Sequence, residues 1–205
     1  MLISTLQQGE FVRGSFGRFR VVNGFRRNDA AKQALRAMAS NGESETLAAT
    51  FANLQQVPLH DLLAKHSILP FAVFSVLNGE GQDGTFWHGR TINTYGFGMV
   101  RAHAYCCQEC VAEDRALGYS YWRVYHQLPG TYHCPIHGCR LHRTIGLAAF
   151  DLQPAAALMQ AELTPIAVSR PESNCAAVAR FNAFVDVLAH LPSPLRHDIY
   201  QRVVV

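Results

Sequence analysis

Apolar residues recur at helical spacing through the first third of the chain. Within Glu45 to Gln55, Leu47, Phe51 and Leu54 fall at i, i+4 and i+7, the stripe of an amphipathic helix. An alanine-rich run from Ala30 to Ala39 reads as an earlier helix, with Asp29 as its N-cap and Asn41-Gly42 as its stop. Val57-Pro58 interrupts the stripe, and Pro58 suits the first position of a third helix. That helix, Leu59 to about Lys65, would put Leu59, Leu62 and Leu63 on one side. Two short helices across a tight break resemble a helix-turn-helix, although most such pairs only build a core. Before them, Phe11 to Phe25 sets Gly14, Gly17 and Gly24 among aromatics and arginines, a pattern of short extended pieces and turns.

Further along, Ser67 to Leu77 is strongly apolar and should be buried, and Asn78 to Gly84 has turn composition. Phe86 to Arg101 reads as extended, with aromatics and threonines alternating with glycines. Pro154 and Pro171 each suit a helix start. The second of these helices, Glu172 to Leu191, places Val178, Phe181, Val185 and Leu188 on one stripe, and Pro192 and Pro194 end it. Leu195 to Val205 reads as one more short helix.

Composition changes this picture little: 49% apolar and 16% charged residues describe a globular chain. No run reaches the roughly 18 to 20 apolar residues of a membrane span. Met1 to Glu10 lacks the cationic, then apolar, order of a secretory signal, so the expectation is a soluble cytoplasmic protein. Charge is more telling. The net value is +3, yet Met1 to Arg36 holds seven basic residues against Glu10 and Asp29, which leaves the remaining chain at a net −2. Arg13, Arg18, Arg20, Arg26 and Arg27 are therefore candidate contacts for an acidic partner such as a nucleic-acid backbone, or else a solvated arginine face.

The candidate chemistry lies in the middle of the chain. Five of the six cysteines (Cys106, Cys107, Cys110, Cys134 and Cys139) share one short window with interleaved histidines; Cys175 stands apart as a small core residue. Clustered Cys and His without a secretory signal favour metal over disulfides. Cys107-Gln108-Glu109-Cys110 and Cys134-Pro135-Ile136-His137 form a C-x-x-C and a C-x-x-H. That spacing lets two side chains of one tight turn reach the same ion at about 2.0–2.3 Å, and two such knuckles supply four ligands for tetrahedral Zn²⁺. Thiolates disfavour Mg²⁺ and Ca²⁺. Three Cys and one His also close the coordination shell, so the expected role is structural rather than Lewis-acid catalysis. One ion is expected and a second is left open, as are the roles of Cys106, Cys139, His133 and His142. His126 reads as a hydrogen-bonding or packing residue, and Glu113-Asp114 as part of a solvated helix.

No G-x-S-x-G, Walker-type loop or H-E-x-x-H is present, and the expectation is that the protein is not an enzyme. The fold class that follows is mainly α (α+β). Residues 1–100 form an N-terminal helical, helix-turn-helix-like region, 101–150 a zinc-ribbon or zinc-knuckle module with short strands, and 151–205 a C-terminal helical segment.

The run from Tyr105 to Asp114, then Tyr121-Trp122-Arg123, His126-Gln127-Leu128-Pro129-Gly130, and Cys134-Pro135-Ile136-His137-Gly138 with Leu141, resembles the TniQ/TnsD family. Its signature is C-P-x-C-L-x-E-D, an aromatic-rich strand, H-Q-L-P-x-V and C-x-x-H-G-x-x-L. Gly42-Glu43-Ser44 with Leu47, and His66 to Phe71, are similar to the family's N-terminal helical portion. Gln108 stands where the family usually has Pro, beside an additional Cys106. Many members continue into further DNA-binding helices, so the resemblance implies either a short form or a chain that lacks that portion. It further implies a non-catalytic target-selection adaptor of DNA transposition. Such an adaptor links a target-recognising element, either a DNA site or an RNA-guided CRISPR effector complex, to an AAA+ regulator ATPase. A homodimer is compatible with this reading. The alternative is a stand-alone zinc-dependent DNA-binding regulator.

Overall fold

Helix α1 occupies Val12–Val22, where the glycines had suggested turns. The correction has a packing cause. A Cβ on Gly14 would lie 2.6 Å from the Trp122 ring, and one on Gly17 would run into the Phe150 carbonyl. These glycines serve close approach of α1 to its neighbours, and the helix accepts their entropic cost of about 0.5–1 kcal/mol each. Only Gly24, with φ +74°, takes the left-handed conformation that the composition had implied.

The computed structural model describes residues 2–38, 46–69, 101, 103–144, 147–160 and 164–165, with residues 176, 180, 181, 183, 184 and 187. Helix α2 runs Asn28–Met38, starting slightly before the alanine run. Helix α3 spans Leu47–Leu54, capped by the Thr46 hydroxyl, which accepts from the Ala49 amide at 3.2 Å. Helix α4 spans Leu59–His66, and Pro58 is its N-cap rather than its first residue. Gln56, at φ 57°, turns the chain between them. Phe16, Phe19, Leu35, Phe51 and Leu62 meet in one apolar cluster of α1–α4. Phe16 and Phe19 both contact Phe51 edge-on, with ring centroids about 6 Å apart.

The remainder is built from shorter pieces: β1 (Tyr105–Cys106), α5 (Gln108–Ala116), α6 (Val124–Gln127), β2 (His142–Arg143), a 3-10 turn at Leu147–Asp151, α7 (Pro154–Gln160) and β3 (Thr164–Pro165). The strands form an antiparallel sheet in the order β1-β2-β3, with Tyr105 opposite Arg143 and His142 opposite Pro165. Pro154 opens α7 as its sequence position suggested. Of the expected Glu172–Leu191 helix, the six described residues are helical. The expected Asn41-Gly42 stop, the segments from 71 to 100 and from 195 to 205, and Cys175 lie outside the described residues.

A second apolar cluster crosses the three expected segments. Phe11, Ile68, Ala104, Trp122, Val124, Phe150 and Ala157 pack in it together. Backbone bonds join the same parts: the Phe11 amide donates to the Trp122 carbonyl at 2.6 Å, and the Val124 amide to Gly9 at 2.9 Å. Glu10 lies at this seam, 2% exposed, accepting from Arg18 at 2.9 Å, while His66 Nδ1 donates to its backbone carbonyl at 2.9 Å. Burial pushes the Glu10 carboxyl up to about 6, against the opposing pull of Arg18. Among the described residues, no helix is long and apolar enough to cross a membrane.

Candidate metal centre

The first knuckle is a helix start. Cys107 is the N-cap of α5, and its sulfur accepts from the Cys110 amide at 3.4 Å. Both thiols therefore sit in the first turn of α5, on the same side of the second knuckle. The second knuckle is a tight hairpin. The Cys134 amide donates to the Cys139 carbonyl and the Gly138 amide to the Cys134 carbonyl, each at 2.8 Å. Gly138, at φ +68°, supplies the left-handed residue that this turn requires.

Folding brings all four sequence-derived ligand candidates together: the donor atoms of Cys107, Cys110, Cys134 and His137 lie within 4.8 Å of one another. His137 Nδ1 stands 3.5, 3.3 and 3.6 Å from the sulfurs of Cys107, Cys110 and Cys134, and Cys110 and Cys134 are 3.6 Å apart. A tetrahedron with ligand bonds of about 2.0–2.3 Å has edges of about 3.3–3.8 Å. The geometry and the soft donor set thus fit a metal ion. The Cys110–Cys134 sulfur contact holds Cys134 as thiolate and leaves the proton on Cys110, a buried charge that a cation would neutralise.

Several neighbours were not legible as part of the site. His137 Nε2 lies 3.1 Å from the Glu113 carboxylate, which raises the imidazole to about 9 together with the adjoining Cys134 sulfur. An acceptor on Nε2 fixes the tautomer that offers Nδ1 to an ion, once that nitrogen has lost its proton. Asp114, expected on a solvated helix face, is 5% exposed and takes a bidentate pair from Arg123 at 2.6 and 2.8 Å. Glu113 and Asp114 stand at i+3 and i+4 from Cys110, so helical spacing was the available signal. His126 is fully buried beside the Cys134 sulfur. Burial lowers its proton affinity.

The His126–Gly130 run holds the knuckles in register. Gln127 completes the edge of β1: its Oε1 accepts from the Tyr105 amide at 3.0 Å, and its Nε2 donates to the Tyr105 carbonyl at 2.8 Å. Arg101 donates to the carbonyls of His126, Leu128 and Thr131 at 3.2, 3.2 and 2.8 Å, with its guanidinium over the Tyr105 ring. Cys106 points into the apolar cluster, opposite in sense to Cys107 as strand neighbours must be, and burial pushes its thiol up to about 12. His133 is buried and bridged to Arg140, and His142 pairs with Cys106 on the sheet.

The five candidate arginines divide. Arg18 binds Glu10 and the Thr5 carbonyl, and Arg20 pairs with Asp151 at 3.3 Å and donates to the Phe25 and Arg26 carbonyls. Arg13 lines a small cavity with Phe16, Asn28, Lys32 and Asp151. Arg26 and Arg27 are exposed in the α1–α2 turn, with Arg27 3.6 Å from Asp29.

No curated protein matches the chain. The TniQ family model matches residues 2–141, a span that runs from the segment before α1 through α1–α4 and both knuckles. The chain belongs to the TniQ family, whose members are transposition-associated target-selection proteins.

Proposed function

We propose that this protein is a non-catalytic adaptor of DNA transposition, held in shape by one zinc ion on Cys107, Cys110, Cys134 and His137. The observation that carries the reading is the closed donor tetrahedron inside a TniQ-family chain. Four protein ligands leave no position for water, so the ion acts as a fold-stabilising cross-link. Function then lies on the surfaces that it positions. One partner is an AAA+ regulator ATPase. The other is a target-recognising element: target DNA or an RNA-guided CRISPR effector complex, met in the cytoplasm. Exposed Arg26 and Arg27 support an acidic partner at the α1–α2 turn, since their guanidiniums are the candidates least engaged by the fold.

The test is a pulldown with an AAA+ transposition regulator ATPase, with and without target DNA. Retention that weakens in Arg26→Ala/Arg27→Ala only when DNA is present would support both parts of the reading. No retention under any condition would overturn the adaptor role. Sequence-specific DNA binding by the chain alone would favour the stand-alone regulator, with α3–α4 as its helix pair.

A further inference from the structure

The metal centre has five donors for four positions. Cys139 closes the second hairpin two residues after His137, and its sulfur lies 3.2 Å from that of Cys107. Its backbone is tied independently of His137, because the Cys139 carbonyl accepts the Cys134 amide at the hairpin base. The thiol is half-buried against the knuckle cluster. Cys139 is thus held on the rim of the tetrahedron by the main chain, facing an edge that contains a ligand.

His137 is the least anchored of the four. Cys107, Cys110 and Cys134 are buried, with at most 1% exposure, and two of them start a helix. The imidazole is partly exposed, and beyond the cluster it is secured by Glu113, a carboxylate that is itself 63% exposed. A site of this shape loses its imidazole before it loses a thiolate.

We infer that Cys139 is a reserve metal ligand, and that the centre exists in two closed forms: Cys107, Cys110 and Cys134 with either His137 or Cys139. This rests on the metal reading proposed above. In the exchange, the His137 Nδ1–metal bond breaks and the Cys139 Sγ–metal bond forms, while the thiol proton leaves to solvent. The second form carries one more negative charge, which the Arg123 guanidinium near Cys110 partly offsets. The consequence is an ion that stays fully coordinated when the exposed imidazole swings away, so neither water nor a competing chelator gains a position.

Cobalt(II) titration of the full chain under reducing conditions tests this, because thiolate-to-metal charge transfer grows with each sulfur ligand. The intact chain binds one Co²⁺ with the absorbance of three thiolates. His137→Ala should bind within about tenfold of the intact chain and show a fourth thiolate. Cys139→Ser alone should bind like the intact chain. The double variant His137→Ala/Cys139→Ser, left with three donors, should lose about a hundredfold or more. Alkylation of the loaded proteins gives a second readout: Cys139 labels in the intact chain and is protected in His137→Ala. A His137→Ala chain that binds no better than the double variant, or stays unfolded with metal, overturns the inference. Failure of the intact chain to bind Co²⁺ at all would instead remove the metal reading on which it rests.

Discussion

The two halves of the described structure reach the same end by opposite means. Helices α1–α4 enclose Phe16, Phe19, Leu35, Phe51 and Leu62, large apolar side chains whose burial contributes about 1.5–3 kcal/mol each. Among the described residues, the knuckle cluster has only Tyr105 and Leu141 besides its cysteines. Such a cluster removes little apolar area from water, and small modules of this kind rely on metal or disulfides for stability. One half is therefore held by dispersion and the hydrophobic effect, which tolerate some repacking. The other half shares the Trp122–Phe150 cluster with Phe11 and Ile68, and on the zinc reading proposed above its knuckles would be held by four directional bonds that do not.

Breaking the metal side should have the largest effect. A strong chelator should remove stabilisation on the order of 10 kcal/mol from the knuckles. Hydrogen exchange should then lose protection over 105–117 and 132–143 while α1, α3 and α4 keep theirs. Equal loss everywhere would show a single cooperative unit and erase the contrast. Next comes Phe51→Ala, which opens a cavity beside the Phe16 and Phe19 rings and should cost about 3–5 kcal/mol in thermal or denaturant unfolding. Metal stoichiometry of the folded fraction should stay at one per chain; a fall would mean that the helical core governs the knuckles.

Smaller effects sharpen the comparison. Glu113→Ala removes the acceptor on His137 Nε2 and should weaken metal affinity by no more than about tenfold in a competition titration, the loss expected for His137→Ala, without moving the unfolding of α1–α4. An unchanged affinity would make that contact incidental. At the seam, Glu10 has its carboxyl raised to about 6 by burial, so the fold prefers its protonated form. Its contribution is full below about pH 4.5 and is lost as pH rises through about 6. The stability of the native chain relative to Glu10→Gln should therefore fall by about 2 kcal/mol between about pH 4 and pH 7. A flat difference across that range would show that Arg18 already compensates the buried charge.

The clustering of the four candidate ligands was legible because x-x spacing in a tight turn is a local constraint, and local constraints survive in a linear string. The α3–α4 pair was legible for the same reason: Pro58 and the stripe of Leu47, Phe51 and Leu54 act within one or two turns. Helix α1 was not. Gly14 and Gly17 weaken a helix locally, and only Trp122 and the Phe150 carbonyl, more than 100 residues away, explain them. Asp114 was misread similarly, since a carboxylate on a polar helix looks solvated until Arg123 is placed beside it.

The sequence by itself determined the donor set, the knuckle spacing, the helical stripes and the family resemblance, all carried by residues close together in the chain. Tertiary structure alone decided that Cys106 turns into the core while Cys139 meets Cys107, and that Glu113 faces His137. It also decided that Arg18 and Arg20 serve the fold while Arg26 and Arg27 stay exposed. The physical reason is the same in each case. Which way a side chain points, and what meets it there, depends on chain segments that come together only on folding.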